Sequence, residues 1–77
     1  MARLPVLKPQ QVIRVLLSAG FYIHHHTGSH ARRFHQTRGE LRATVPIHPG
    51  DLPIPILKSI IRQAGMTNEE FLSLLDK

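Results

Sequence analysis

Histidine is the side chain whose ordinary pKa, about 6.5, lets it take or give a proton near neutral pH. This 77-residue sequence has six. His30 follows Gly28 and Ser29 directly, in the run Thr27-Gly28-Ser29-His30. Glycine lets the chain bend tightly or take a positive φ. Serine supplies a hydroxyl, and the imidazole comes where the chain re-enters a strand. A histidine held there beside an open backbone can accept or donate a proton next to a bound polyanion. The bland counterpart is a strand-edge histidine bonded to the turn. Gly28 and Ser29 read as turn formers or as a close backbone approach to phosphate.

The other imidazoles raise a metal reading, because zinc accepts histidine readily. Alternation puts His24 and His26 on one strand face, with His25 and His35 nearby in sequence. No acidic residue lies close to them and the chain has no cysteine. We therefore expect no physiological metal and no small-molecule cofactor, only surface imidazoles able to bind adventitious nickel or zinc. His48, in His48-Pro49-Gly50-Asp51, reads as a loop-fixing residue, with a second catalytic role as the weaker alternative.

Charge points to a partner. Ten Lys and Arg against five Asp and Glu give a formal charge of +5, with a pI near 10.9. Arg32, Arg33, Arg38 and Arg42 follow His30 with only Glu40 opposing them, whereas Glu69, Glu70 and Asp76 fall near the end. A positive field around the strands after His30 suits a polyanion, and nucleic acid is the commonest. The four arginines are expected phosphate contacts, one or two of them ordinary solvated charges. Without cysteine there are no disulfides, which fits a reducing compartment. No apolar run is long enough for a signal peptide or a membrane span. We expect a cytoplasmic protein.

The elements that must hold these residues follow from periodicity. Residues 1–7 read as an extended arm on a single small domain spanning 1–77. A first helix opens at Lys8-Pro9, with an apolar stripe of Val12, Ile13, Leu16 and Leu17 widened by Val15. Gly20 is its expected left-handed cap. Phe21 to His26 reads as a strand, with Phe21 and Ile23 packed on the helix and Tyr22 and His24 facing away. Thr27-Gly28-Ser29 connects it to a strand over His30 to Gln36. There His30, Arg32 and Phe34 alternate with Ala31, Arg33 and His35, and spacing alone does not say which set faces the core.

Thr37-Arg38-Gly39-Glu40 is a turn. Leu41 to Pro46 is a third strand, with Leu41, Ala43 and Val45 on one face and Arg42 and Thr44 on the other. Two short turns in succession predict an antiparallel meander. The proline-rich stretch from Pro46 to Pro55 predicts an irregular crossing rather than a fourth strand. Pro55 can start a second helix, with Ile54 biased away from it. Its stripe is Ile56, Leu57, Ile60 and Ile61, and Ala64-Gly65 closes it. Thr67-Asn68-Glu69-Glu70 matches a capping box for a last helix with Phe71, Leu72, Leu74 and Leu75 on its apolar side. The fold class is α+β, ordered α-β-β-β-α(-α). Helices cover one face of a three-stranded antiparallel sheet, and the open face carries Tyr22, His24 and some of the arginines.

Three segments in this order resemble the HicA family, also called YcfA-like proteins. They are Gly28-Ser29-His30, Val45-Pro46-Ile47-His48-Pro49-Gly50-Asp51-Leu52, and Leu57-Lys58-Ser59-Ile60-Ile61-Arg62-Gln63-Ala64-Gly65. The resemblance runs from about Lys8 to Leu75. It implies a fold similar to a double-stranded-RNA-binding domain, and the toxin half of a type II toxin–antitoxin pair acting as an mRNA interferase. It also implies that His30 is the catalytic residue and that a HicB-like antitoxin covers the active surface. The family often has Gly-Thr-Leu at the start of the second helix where this chain has Pro55-Ile56-Leu57, so a changed helix start with the fold kept is expected. The His24-His25-His26 run is a second departure.

The leading reading is thus a metal-independent endoribonuclease. His30 would act as general base on a ribose 2′-hydroxyl or general acid on the leaving oxygen. Arg32, Arg33 and backbone N–H groups near Gly28 and Ser29 would stabilise the attacked phosphate. The alternative is a non-catalytic RNA-binding module that needs the arginines but not His30. A third reading is an interaction domain whose basic surface pairs with an acidic protein.

Overall fold

A computed structural model describes residues 3–27, 31–36, 41–47 and 49–76; at 24–27, 31–33, 35 and 36 it describes the backbone alone. The first helix, α1, spans Pro9–Ser18. Proline at its first position loses an N–H that would have no partner there. The backbone N–H of Lys8, at the N-cap, donates to Gln11 Oε1 at 2.9 Å. Lysine has no acceptor, so this is half of a reciprocal cap. Val12, Val15 and Leu16 are buried. Leu17, expected on the stripe, is instead 49% exposed, because it lies about 100° round the helix from Leu16. Gly20, with φ +95°, makes the expected left-handed ending.

Strands β1 (Phe21–Thr27), β2 (Ala31–Gln36) and β3 (Arg42–Pro46) form one antiparallel sheet in chain order. The meander is as expected, with shifted boundaries. Thr27 belongs to β1 rather than to the connection, and Leu41 precedes β3. Residues 28–30 lie outside the described residues, and so do 37–40 and His48.

Phe34 resolves the alternation that spacing left open in β2. It has no exposed surface, as have Ala43 and Val45 beside it on β3. Positions 33 and 35 register with Thr44 and Arg42, both exposed. On β1, Phe21 is buried and Tyr22 exposed, as expected, but Ile23 is 38% exposed. Ile23 pairs with Phe34 on an outer strand, and the register slips between Ile23 and His25. His24 falls in that slip. The unbroken alternation expected to put His24 with His26 therefore does not hold.

The crossing after β3 touches the N-terminal arm. The Leu52 N–H donates to the Leu7 carbonyl at 2.7 Å, and both leucines are buried. The arm is thus tied to the core at its last residue, by an isolated bridge and, among the described residues, no fourth strand.

Helix α2 spans Ile54–Gln63 and α3 spans Asn68–Leu75. Contrary to the steric bias against it, Ile54 is helical. Pro55 takes the second position, where its missing N–H costs nothing, and Ile54 is half-buried against the core. Leu57, Ile60 and Ile61 are buried, but Ile56 is 38% exposed, outside the expected stripe. Gly65, φ +71°, closes the helix. The predicted capping box is present: Glu70 N–H donates to Thr67 Oγ1 at 3.0 Å, and Thr67 N–H to Glu70 Oε1 at 2.7 Å. The result is a mixed α+β domain with three helices among the described residues. Its core, among the described residues, contains no buried polar or charged side chain.

Candidate active site at one end of the sheet

The order of pairing defines where the chemistry-bearing residues sit. Thr27 pairs with Ala31, and Ala31 pairs with Pro46. The connection that holds Gly28, Ser29 and His30 is therefore bracketed by a closed strand pair, with the end of β3 alongside. These three residues lie outside the described residues, and the structure supplies their frame.

Moving away from that end, the next rung is His26–Arg32–Val45 and the one after it His25–Arg33–Thr44. Both arginines of β2 are within two rungs of the connection. Thr44 is exposed and Val45 is fully buried. Directly opposed positions share a face of the sheet. Position 33 thus belongs to the open row and position 32 to the covered one.

Arg42 is placed differently. It stands in the rung Tyr22–His35–Arg42, four rungs from Ala31. At about 3.3 Å per residue this is roughly 13 Å from Ala31. The exposed Arg42 thus stands farther along the sheet from Ala31 than Arg32 and Arg33 do. Arg38 lies outside the described residues. The three arginines on described strands are thus spread along the sheet, one, two and four rungs from Ala31.

Sequence reasoning missed Gln63. Its Oε1 accepts the Thr44 N–H at 3.1 Å, and its Nε2 donates to Ser59 Oγ at 3.0 Å. The pair ties α2 to β3 and occupies a donor of an outer strand that another chain could otherwise use. The only signal was an i,i+4 polar pair within an apolar helix, which reads as solvated. Among the described residues, no three His, Cys, Asp or Glu side chains converge as a metal site. No helix among them is long and apolar enough to cross a membrane.

A family model described as HicA toxin of bacterial toxin-antitoxin matches residues 9–66. The match runs from the start of α1 past the end of α2 and includes the connection at 28–30. No curated protein matches the chain.

Proposed function

The chain belongs to the HicA toxin family of bacterial toxin–antitoxin systems, and on that footing we propose that it is a metal-independent endoribonuclease acting on mRNA through His30. A toxin of such a pair has an antitoxin partner, which we identify as a HicB-like protein covering the active surface. The observation that carries the reading is the family match running through the Gly28-Ser29-His30 connection. The Thr27–Ala31 pair supports it by bracketing that connection with paired backbone. The order α-β-β-β-α also fits a relative of double-stranded-RNA-binding domains.

The reaction follows from the residue types. His30 removes the proton of a ribose 2′-hydroxyl, and the freed oxygen attacks the adjacent phosphorus. The bond to the 5′-oxygen breaks, and that oxygen takes up a proton. Backbone N–H groups at Gly28 and Ser29, with Arg33, hold the charge that develops on the phosphate. Arg32, on the rung next to the strand end at Ala31, adds to the same positive charge. Arg38 and Arg42 contact phosphates farther along the RNA.

Purified protein in excess EDTA should cut mRNA, and adding the antitoxin should stop it. Uncut RNA under these conditions, with cutting restored by divalent metal, would refute the metal-independent reading. Uncut RNA that is still retained with steep salt dependence would favour the non-catalytic module.

The separation of Arg42 from the connection adds a distinct expectation. Arg42→Ala should weaken RNA retention and lower the slope of log affinity against log salt by about 1. The cut positions should not change. An unchanged slope would return Arg42 to the class of solvated charges.

A further inference from the structure

Besides its histidines, the chain has three Phe, one Tyr and no Trp. Phe21, Phe34 and Phe71 are buried in the core, and Tyr22 alone of these rings is exposed. It stands in the rung Tyr22–His35–Arg42. The neighbouring rung, Ile23–Phe34–Ala43, contains the fully buried Phe34 and Ala43. Side chains alternate between the faces of a strand, so Tyr22 and Arg42 belong to the face turned away from the core. Arg42 is exposed there, and so is Thr44 two positions on.

This row offers two kinds of contact on one open face. The Tyr22 and Arg42 positions are roughly 10 Å apart, across two strand spacings. An aromatic ring takes the flat face of a base, and a guanidinium takes a phosphate of the same strand. Only an unpaired base can do this, because bases within a duplex already stack on one another and present their edges and backbone to a protein. The row lies on the same three strands that frame the connection at 28–30, so one strand of RNA can follow the sheet from one to the other.

We propose that Tyr22 stacks on an unpaired base of the RNA strand that Arg42 holds by a phosphate, so that the open sheet face takes single-stranded RNA rather than a duplex. This site deepens the ribonuclease reading and rests on its assignment of RNA as the ligand, though not on His30. Every base has a π-face, so stacking selects an unpaired strand more than a particular base.

Tyr22 is the one tyrosine of a chain without tryptophan, and its emission therefore reports this position alone. The probe is a 2′-O-methyl RNA of about ten nucleotides, which attack by a 2′-oxygen cannot cut, used single-stranded and annealed to its complement. The single strand should quench the tyrosine emission saturably, and the duplex should not. With a fluorescent label on the RNA, Tyr22→Ala should bind the single strand roughly 5- to 150-fold more weakly. Tyr22→Phe, which keeps the ring, should bind close to the parent. Both variants should keep the parental far-UV spectrum and urea midpoint. Unchanged emission on RNA binding, equal affinity for the duplex, or parental single-strand affinity in Tyr22→Ala would overturn the proposal. Parental RNA affinity with weakened antitoxin binding in that variant would overturn it as well, and would place Tyr22 in a protein interface. A parent that is quenched by the single strand yet cuts no mRNA would uphold the stacking site and refute the ribonuclease reading.

Discussion

His30→Ala should lower RNA cleavage by about 10²–10⁴-fold, the usual contribution of one general acid–base group. RNA retention should survive, because the phosphate contacts assigned to Arg33, Arg38 and Arg42 do not involve the imidazole. Antitoxin binding should survive as well, since one side chain is a small part of a protein interface. Thermal unfolding should stay close to that of the parent. The described core is built from Phe21, Phe34, Ala43 and Val45 of the strands with side chains of the arm, the crossing and the three helices. Cleavage at the parental rate would remove His30 from the mechanism, and with it the ribonuclease assignment to this site.

Phe34→Ala should have the largest effect on stability. Phe34 lies on the central strand, between Ile23 and Ala43 in the register, and has no exposed surface. Truncating a buried phenylalanine costs about 3–5 kcal/mol through lost transfer energy and an unfilled cavity. A 77-residue domain has a total stability of roughly 4–12 kcal/mol at 0.05–0.15 kcal/mol per residue. The variant should therefore show a much lower urea midpoint or no cooperative transition. Phe34→Leu, which keeps most of the volume, should lose far less. An alanine variant within about 1 kcal/mol of the parent would contradict the packing described for β2, on the scale of core truncations.

The contrast between the two variants matters for function. His30→Ala should remove chemistry from a folded protein, whereas Phe34→Ala should remove the strand that frames the connection. Parallel measurements of unfolding and cleavage separate them.

Much of the architecture was legible because local chemistry and periodicity agree. Pro9, Gly20 and the Thr67–Glu70 box mark helix ends by mechanisms that need no tertiary contact. Ala43 and Val45 alternate with Arg42 and Thr44, which is enough to orient β3. β2 was not legible in the same way, because arginine and histidine occur on both of its alternating sets. Only the burial of Phe34 orients it. The slip at His24 has no signature in three consecutive histidines. Leu17 and Ile56 lie at the margins of their stripes, where exposure depends on what packs beside the helix. Ile54 shows tertiary packing overriding a local bias.

For the candidate site, Gly28-Ser29-His30 was singled out by residue types and family resemblance, and its residues lie outside the described ones. The grouping of four arginines around it came from their closeness in sequence. Pairing register spreads three of them along the sheet, since Arg32, Arg33 and Arg42 stand one, two and four rungs from Ala31. Strand order converts nearness along the chain into distance along the sheet. Gln63 was missed for a related reason, because its partner is a backbone N–H 19 positions away.

The first measurement to make is the end-group chemistry of RNA fragments released by the purified protein in excess EDTA, read by mass spectrometry. Attack by the 2′-oxygen under His30 catalysis predicts fragments ending in a 2′,3′-cyclic phosphate or its hydrolysis product, with 5′-hydroxyl groups on the other side. An RNA with 2′-O-methyl groups throughout should be bound and left whole. Fragments carrying 5′-phosphates and 3′-hydroxyls, or cleavage of the methylated RNA, would mean that water rather than the ribose attacks, and would contradict the mechanism assigned to His30.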